Sequence, residues 1–170
     1  ELVCGIAKNC LVDENFESTI SGTWVGSGDW LLSTISPING TKSLQHRQND
    51  NSGIDTLSIP ATFPSIGDKA IEWNFTLRNG DWDPSTDNYF YFALMANTQD
   101  LNSDGYFIGI NPASGNDYLT LWHNNQGVKT PIITSNFDWN ASDEVKIKVG
   151  LSTKGEWQFW YQRKAEQSFI

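Results

Sequence analysis

Apolar and polar residues alternate along most of this chain with a period of two. In Ile71-Glu72-Trp73-Asn74-Phe75-Thr76-Leu77-Arg78 the odd positions are apolar and the even ones polar, and Val145, Ile147, Val149 and Leu151 alternate with Lys146, Lys148, Gly150 and Ser152 in the same way. Such alternation predicts strands with one face on a core and the other in water. The stretch Asn88–Ala96 is apolar on both faces and predicts a central strand covered on both sides. Shorter strands are expected at Leu31–Ser36, Ser43–Gln48, Asp55–Ile59, Tyr106–Asn111, Tyr118–Trp122, Val128–Ile133 and Trp157–Gln162. No window carries apolar residues at the i, i+3, i+4, i+7 spacing of an amphipathic helix.

Turn chemistry separates the strands. Asn102-Ser103-Asp104-Gly105, Ser114-Gly115-Asn116-Asp117, Asn124-Asn125-Gln126-Gly127 and Thr153-Lys154-Gly155 all supply residues that accept positive φ. Connections this short cannot carry helical crossovers, so the strands must pair antiparallel. About ten strands in one unit favour an all-β, antiparallel β-sandwich of the jelly-roll type over a seven-stranded immunoglobulin sandwich. Residues 1–170 show no internal repeat or linker and read as a single domain.

Two strands place a tryptophan on the side away from their expected core face. Trp157, Phe159 and Tyr161 share one face, so Trp160 projects from the other between Gln158 and Gln162. Leu119 and Leu121 likewise leave Tyr118 and Trp122 opposite the core. An aromatic ring flanked by amides suits a sugar, whose C–H face stacks while its hydroxyls take hydrogen bonds. Large aromatics are usually buried, so each ring taken alone also fits a face covered by a second layer.

Composition narrows the partners. The 170 residues hold eight tryptophans, and 20 acidic residues against 11 Lys and Arg leave a net charge of −9. That balance argues against a nucleic acid or an anionic membrane, both of which call for a basic patch. A neutral polysaccharide or glycan, a cationic surface or a calcium ion would tolerate it. Cys4 and Cys10, the two cysteines, have the spacing of a small disulfide loop and so point to an oxidising compartment, secreted or at the cell surface. The apolar ends of the chain suggest a segment of a larger secreted protein.

Asn15-Phe16-Glu17, Gly22-Thr23-Trp24 and Asn39-Gly40-Thr41-Lys42-Ser43-Leu44 together resemble the N-terminal course of jelly-roll carbohydrate-binding modules. Gly105-Tyr106-Phe107-Ile108-Gly109-Ile110-Asn111, followed by Leu119-Thr120-Leu121-Trp122, resembles the laminin-G-like or concanavalin A-like domains of secreted Bacteroidetes proteins. The resemblance implies a sandwich with a concave sheet, sugar binding in some members and structural calcium in many. One calcium site of such modules involves the early Phe-Glu segment, so Glu17 or Asp13 would contribute.

The expected function is therefore a non-catalytic carbohydrate-binding module. Tyr118, Trp122 and Trp160 would stack sugar rings, and Gln158, Gln162, Gln45 and Arg47 would hydrogen-bond hydroxyls. The alternative is a structural or adhesive surface domain that packs on neighbouring domains of the same protein and binds no small ligand. A hydrolase is disfavoured because no Glu-x-Asp-x-x-Glu carboxylate set occurs; Glu72 has Asn74 and Thr76 as same-face neighbours. A lyase would draw on Arg47, Gln45 and His123, a weaker reading. His46 is expected to be half-buried, and His123 to end its strand as an ordinary polar residue.

Two acidic loops have calcium-loop character. Asp100, Asn102 and Asp104 stand in a D-x-[DN]-x-[DN]-G run ending at Gly105, but the twelfth position is Asn111 and not a bidentate Glu. The same run reads more readily as a hairpin turn. Asp81, Asp83 and Asp87 cluster oxygens around Trp82 and offer a second candidate.

Overall fold

The computed structural model describes residues 10–20, 24–47, 53–65, 67–85, 87–100, 102–110 and 116–170. These form eleven strands and, among the described residues, no helix: β1 Val25–Ser27, β2 Trp30–Ser33, β3 Ser43–His46, β4 Thr56–Ser58, β5 Ile71–Arg78, β6 Tyr91–Ala96, β7 Gly105–Gly109, β8 Tyr118–Asn125, β9 Val128–Asp138, β10 Glu144–Leu151 and β11 Trp157–Arg163. Every pairing is antiparallel. Consecutive hairpins β6-β7-β8-β9 build a four-stranded sheet, and β11-β10-β5 a three-stranded one; β1 pairs with β4 and β2 with β3.

The two larger sheets meet through their apolar faces in a sandwich-like core. Val145, Ile147, Val149 and Leu151 of β10 are almost fully enclosed together with Leu119 and Leu121 of β8, Ile108 of β7 and Leu94 of β6. Aromatic rings bridge the layers: Phe75 stacks on Phe92 at 3.9 Å, Tyr106 lies 4.6 Å from Trp157, and Phe137 stacks on Tyr161 at 5.4 Å. The Trp73 indole N–H donates to the Leu94 carbonyl at 3.1 Å, satisfying a polar group inside this layer.

β6 is not the central strand its sequence suggests, for it ends the four-stranded sheet and pairs with β7 alone. Its two-faced apolarity has a local cause. A register shift between Ala93 and Met95 marks a bulge, and both Leu94 and Met95 belong to the core cluster. On the opposite face Tyr91 packs edge-on to Phe107 at 6.3 Å. β1 goes unforeseen because Gly26 and Gly28 make its segment read as loop. A Cβ on Gly26 would meet the Thr56 carbonyl oxygen at 2.0 Å, so β1 can approach β4 this closely only with glycine there.

β8 and β9 run longer than expected because the hairpin between them is tight. Gln126 (φ 52°) and Gly127 (φ 79°) both take left-handed conformations, the two-residue turn that suits the strand twist. The N-terminal strands attach to the β5 and β6 side by separate contacts: Gln99 reaches the Val25 carbonyl at 3.0 Å, Phe63 packs on Trp73 at 6.1 Å, and the Arg78 guanidinium donates to the Ser36 carbonyl.

Ile147, 1% exposed, sits midway along β10. Ile147→Ala should lower unfolding free energy by about 2–5 kcal/mol in urea titrations, whereas Lys146→Ala, one residue away and solvent-facing, should stay within about 0.5 kcal/mol.

Candidate functional site

Because side chains alternate along a strand, the packed faces of β5, β10 and β11 determine what points outward. The register sets Gly150 beside Glu72 and Gln158, Lys148 beside Asn74 and Trp160, and Lys146 beside Thr76 and Gln162. Trp160 is half-buried and Gln158 exposed. The far carbons of the Trp160 six-membered ring lie 3.5 and 3.7 Å from where a Gly150 Cβ would stand. The indole therefore reclines over the glycine and does not stand upright. Lys148 Nζ is 5.5 Å from the ring centroid and 2.9 Å from the Glu72 carboxylate. That carboxylate also accepts from Asn74 Nδ2 at 2.9 Å. The shelf is thus an aromatic ring flanked by amides, with one internally paired cation over it.

Gln158, Trp160 and Gln162 come together as expected, but Tyr118 and Trp122 do not join them. Trp122 pairs with Phe107 on the face of the four-stranded sheet turned away from the core, the far side of the two-layered packing. Nor is Trp122 open: it is 7% exposed, and its indole N–H is buried with no acceptor. Alternation correctly gave its direction, but Phe107 beside it and Pro131 opposite it show why direction alone does not mean exposure. Tyr118 is half-buried on the same side, and its hydroxyl accepts from Asn116 Nδ2 at 3.1 Å. A single platform joining Trp122 to Trp160 is therefore ruled out.

Gln45 and Arg47 come from the β2–β3 hairpin. Both line a broad open cleft of 2980 Å³ whose other side includes Lys148, Gln158 and Trp160. That volume far exceeds the roughly 300–1,000 Å³ of a small-ligand pocket, so it describes an extended surface. Arg47 donates to Asp29 through Nε at 3.1 Å and Nη2 at 3.2 Å, a fork that already engages its guanidinium. His46 is exposed and not half-buried. Its Nε2 lies 2.6 Å from Asp55 Oδ2, and its ring packs on Trp30 at 4.8 Å. His123 stacks on Tyr106 at 4.8 Å, on the core side of β8, so it does not converge with Gln45 and Arg47.

The acidic runs serve turns. The Asp100 carboxylate accepts from the Asn102 N–H at 2.8 Å, and the Asp104 carboxylate from the Gln126 N–H at 2.5 Å, tying one hairpin end to the next. Asp83 accepts from the Ala141 N–H at 2.8 Å. Burial, followed by the charges of Asp138 and Asp83, raises Asp117 above the ordinary carboxylate range. Among the described residues no three His, Cys, Asp or Glu side chains cluster as a metal-holding group. Cys10 is disulfide-bonded; Cys4 lies outside the described residues.

Described residues of the N-terminal segment touch one another. Phe16 packs on Trp24 at 5.8 Å, and Trp24 Nε1 donates to Glu14 at 3.3 Å. Glu17 accepts from the Thr41 hydroxyl and from the Thr41 and Lys42 N–H groups, across the turn at Gly40. Gly40 has φ 59°, and a Cβ there would meet Glu17 Oε1 at 2.0 Å, so the glycine is needed twice over.

Two expectations follow. The Thr41 hydroxyl foremost, then the backbone N–H of Thr41, lowers the Glu17 pKa below 4.5. A lowered carboxylate contributes stability above its unfolded pKa and loses it as pH falls through the folded one. The N-terminal turn should therefore loosen on acidification below about pH 4.5, seen as rising amide exchange at Thr41 and Lys42, and Glu17→Gln should remove that pH dependence. Separately, iodide should quench Trp160 and spare Trp122: the quenchable fraction of tryptophan emission should drop in Trp160→Phe and not in Trp122→Phe. Comparison of the chain with protein families, with curated proteins and with solved structures gave no match.

Proposed function

We propose that this chain is a non-catalytic carbohydrate-binding module, on a sandwich of the jelly-roll, concanavalin A-like kind, that holds a glycan on the outer face of β5, β10 and β11. The observation that carries the reading is Trp160 reclining over Gly150 between Gln158 and Gln162. A pyranose laid on the indole gains apolar contact through its C–H face, while amides on both sides and Asn74 across the sheet meet its hydroxyls. One stacked ring supplies on the order of 1 kcal/mol, so affinity for a monosaccharide is weak and rises with chain length. Tyr118 and Trp122 drop out of the stacking set, and Arg47 contributes only by leaving Asp29. The disulfide at Cys10 supports a secreted or cell-surface setting.

A second reading, a structural or adhesive domain that packs on neighbouring domains, draws on Trp122. Its burial on the outer face of the four-stranded sheet supports that reading.

Affinity electrophoresis through gels containing polysaccharides separates the two. Retardation on at least one polysaccharide should be cut about fivefold or more by Trp160→Ala. Gly150→Thr, whose branched side chain fits a strand but lifts the ring, should lower retardation without lowering the melting temperature. Trp122→Phe should leave retardation unchanged. Equal mobility in every gel would leave the structural reading in possession.

A further inference from the structure

Beyond Trp160 the same face ends in a smaller depression. A pocket of 400 Å³ opens beside Gln162, lined among others by Asn39, Thr76, Lys146, Glu166 and Phe169. This is the size of a site for one or two sugar units. Gln162 stands two residues beyond Trp160 on β11, about 6.6 Å further along the strand, close to the length of one sugar unit. A glycan stacked on Trp160 therefore places its next residue over Gln162 and Thr76, at the pocket mouth.

The charge at this end differs from that of the whole molecule. The chain carries 11 cationic side chains in a net charge of −9. Four of them (Arg78, Lys146, Lys148 and Lys164) gather on this face and pocket, against Glu72, Glu144 and Glu166, while the Arg163 guanidinium lies over the core-side Phe137 ring. Most of the carboxylate capacity is already committed. Glu72 pairs with Lys148 at 2.9 Å, and Glu144 with Lys164 at 3.0 Å and Arg78 at 3.7 Å. Lys146 forms no ion pair among the described residues, yet it lines the pocket. An exposed ammonium without an ion-pair partner among the described residues, beside a depression of sugar size on an otherwise acidic protein, suits a counter-anion from the ligand.

We infer that the pocket beside Gln162 seats an anionic sugar unit, a uronate or a sulfated residue, with its charge on Lys146 and the neighbouring ring on Trp160. The inference rests on the glycan reading of the shelf and names its ligand class.

The full chain is run through gels containing polygalacturonate, alginate or chondroitin sulfate, with methyl-esterified pectin and neutral xylan, mannan and β-glucan beside them. Retardation should be strongest on an acidic polymer, and should fall when methyl esters replace its carboxylates and as salt rises. Lys146→Gln should weaken it about fivefold, what one partly exposed ion pair supplies, and Trp160→Ala should weaken it as well. The uronate gels against the chondroitin sulfate gel tell carboxylate from sulfate. Retardation on neutral polymers only, lost in Trp160→Ala and untouched by Lys146→Gln, would overturn the anionic pocket while leaving the shelf. Acidic retardation untouched by Trp160→Ala would overturn both, as would no retardation in any gel. Lys146 faces solvent and lies outside the core, so its variant folds, and a matching melting curve confirms it.

Discussion

Burial of one face of β10 against β8 is the constraint on which the rest depends. Val145, Ile147, Val149 and Leu151 are enclosed with Leu119 and Leu121, and a period of two leaves no freedom in where the intervening residues go. A slip by one residue would bury Lys146 and Lys148 and expose the whole apolar set, at a cost far beyond the stability of a domain this size. Register is consequently fixed, and with it the rungs Gly150–Gln158, Lys148–Trp160 and Lys146–Gln162. The outward shelf is the complement of the core pattern.

That dependence explains how much was legible beforehand. The long alternating segments were read accurately: Ile71–Arg78 is β5 to the residue, and the outward direction of Trp160 and Trp122 followed from parity. Parity failed where the question became what lies above a face. Nothing within Tyr118–Trp122 reveals that Trp122 shares a buried outer face with Phe107, because that depends on which strand pairs with β8. The two-faced run at Asn88–Ala96 misled for a related reason. A bulge sends consecutive residues the same way, so apolarity on both parities arises without a covering layer on both sides. Gly26 hid a short strand, while Gly150, one of the alternating residues, lies beneath the Trp160 ring at a distance where a Cβ would make ordinary contact.

The acidic residues show the same limit at the level of side chains. A D-x-[DN]-x-[DN]-G spacing puts oxygens close together, but main-chain N–H groups compete for them. Here Asn102 and Gln126 claim the Asp100 and Asp104 carboxylates. Glu17 was singled out through its neighbours Phe16 and Trp24, and its observed partners, Thr41 and Lys42, lie 24 and 25 residues away. A capping contact of that span has no local spacing to betray it.

Pro131 has a consequence for the molecule in a crowded solution. β9 is an eleven-residue strand on the margin of its sheet, long enough to template a strand from another copy of the chain. A proline cannot donate to such an intruder, and the register shift between Leu121 and Trp122, at whose far end Pro131 sits, breaks the regular spacing of groups a partner would need. The sheet thus carries its own safeguard against edge-to-edge polymerisation, placed in the strand whose length makes it most exposed to that fate.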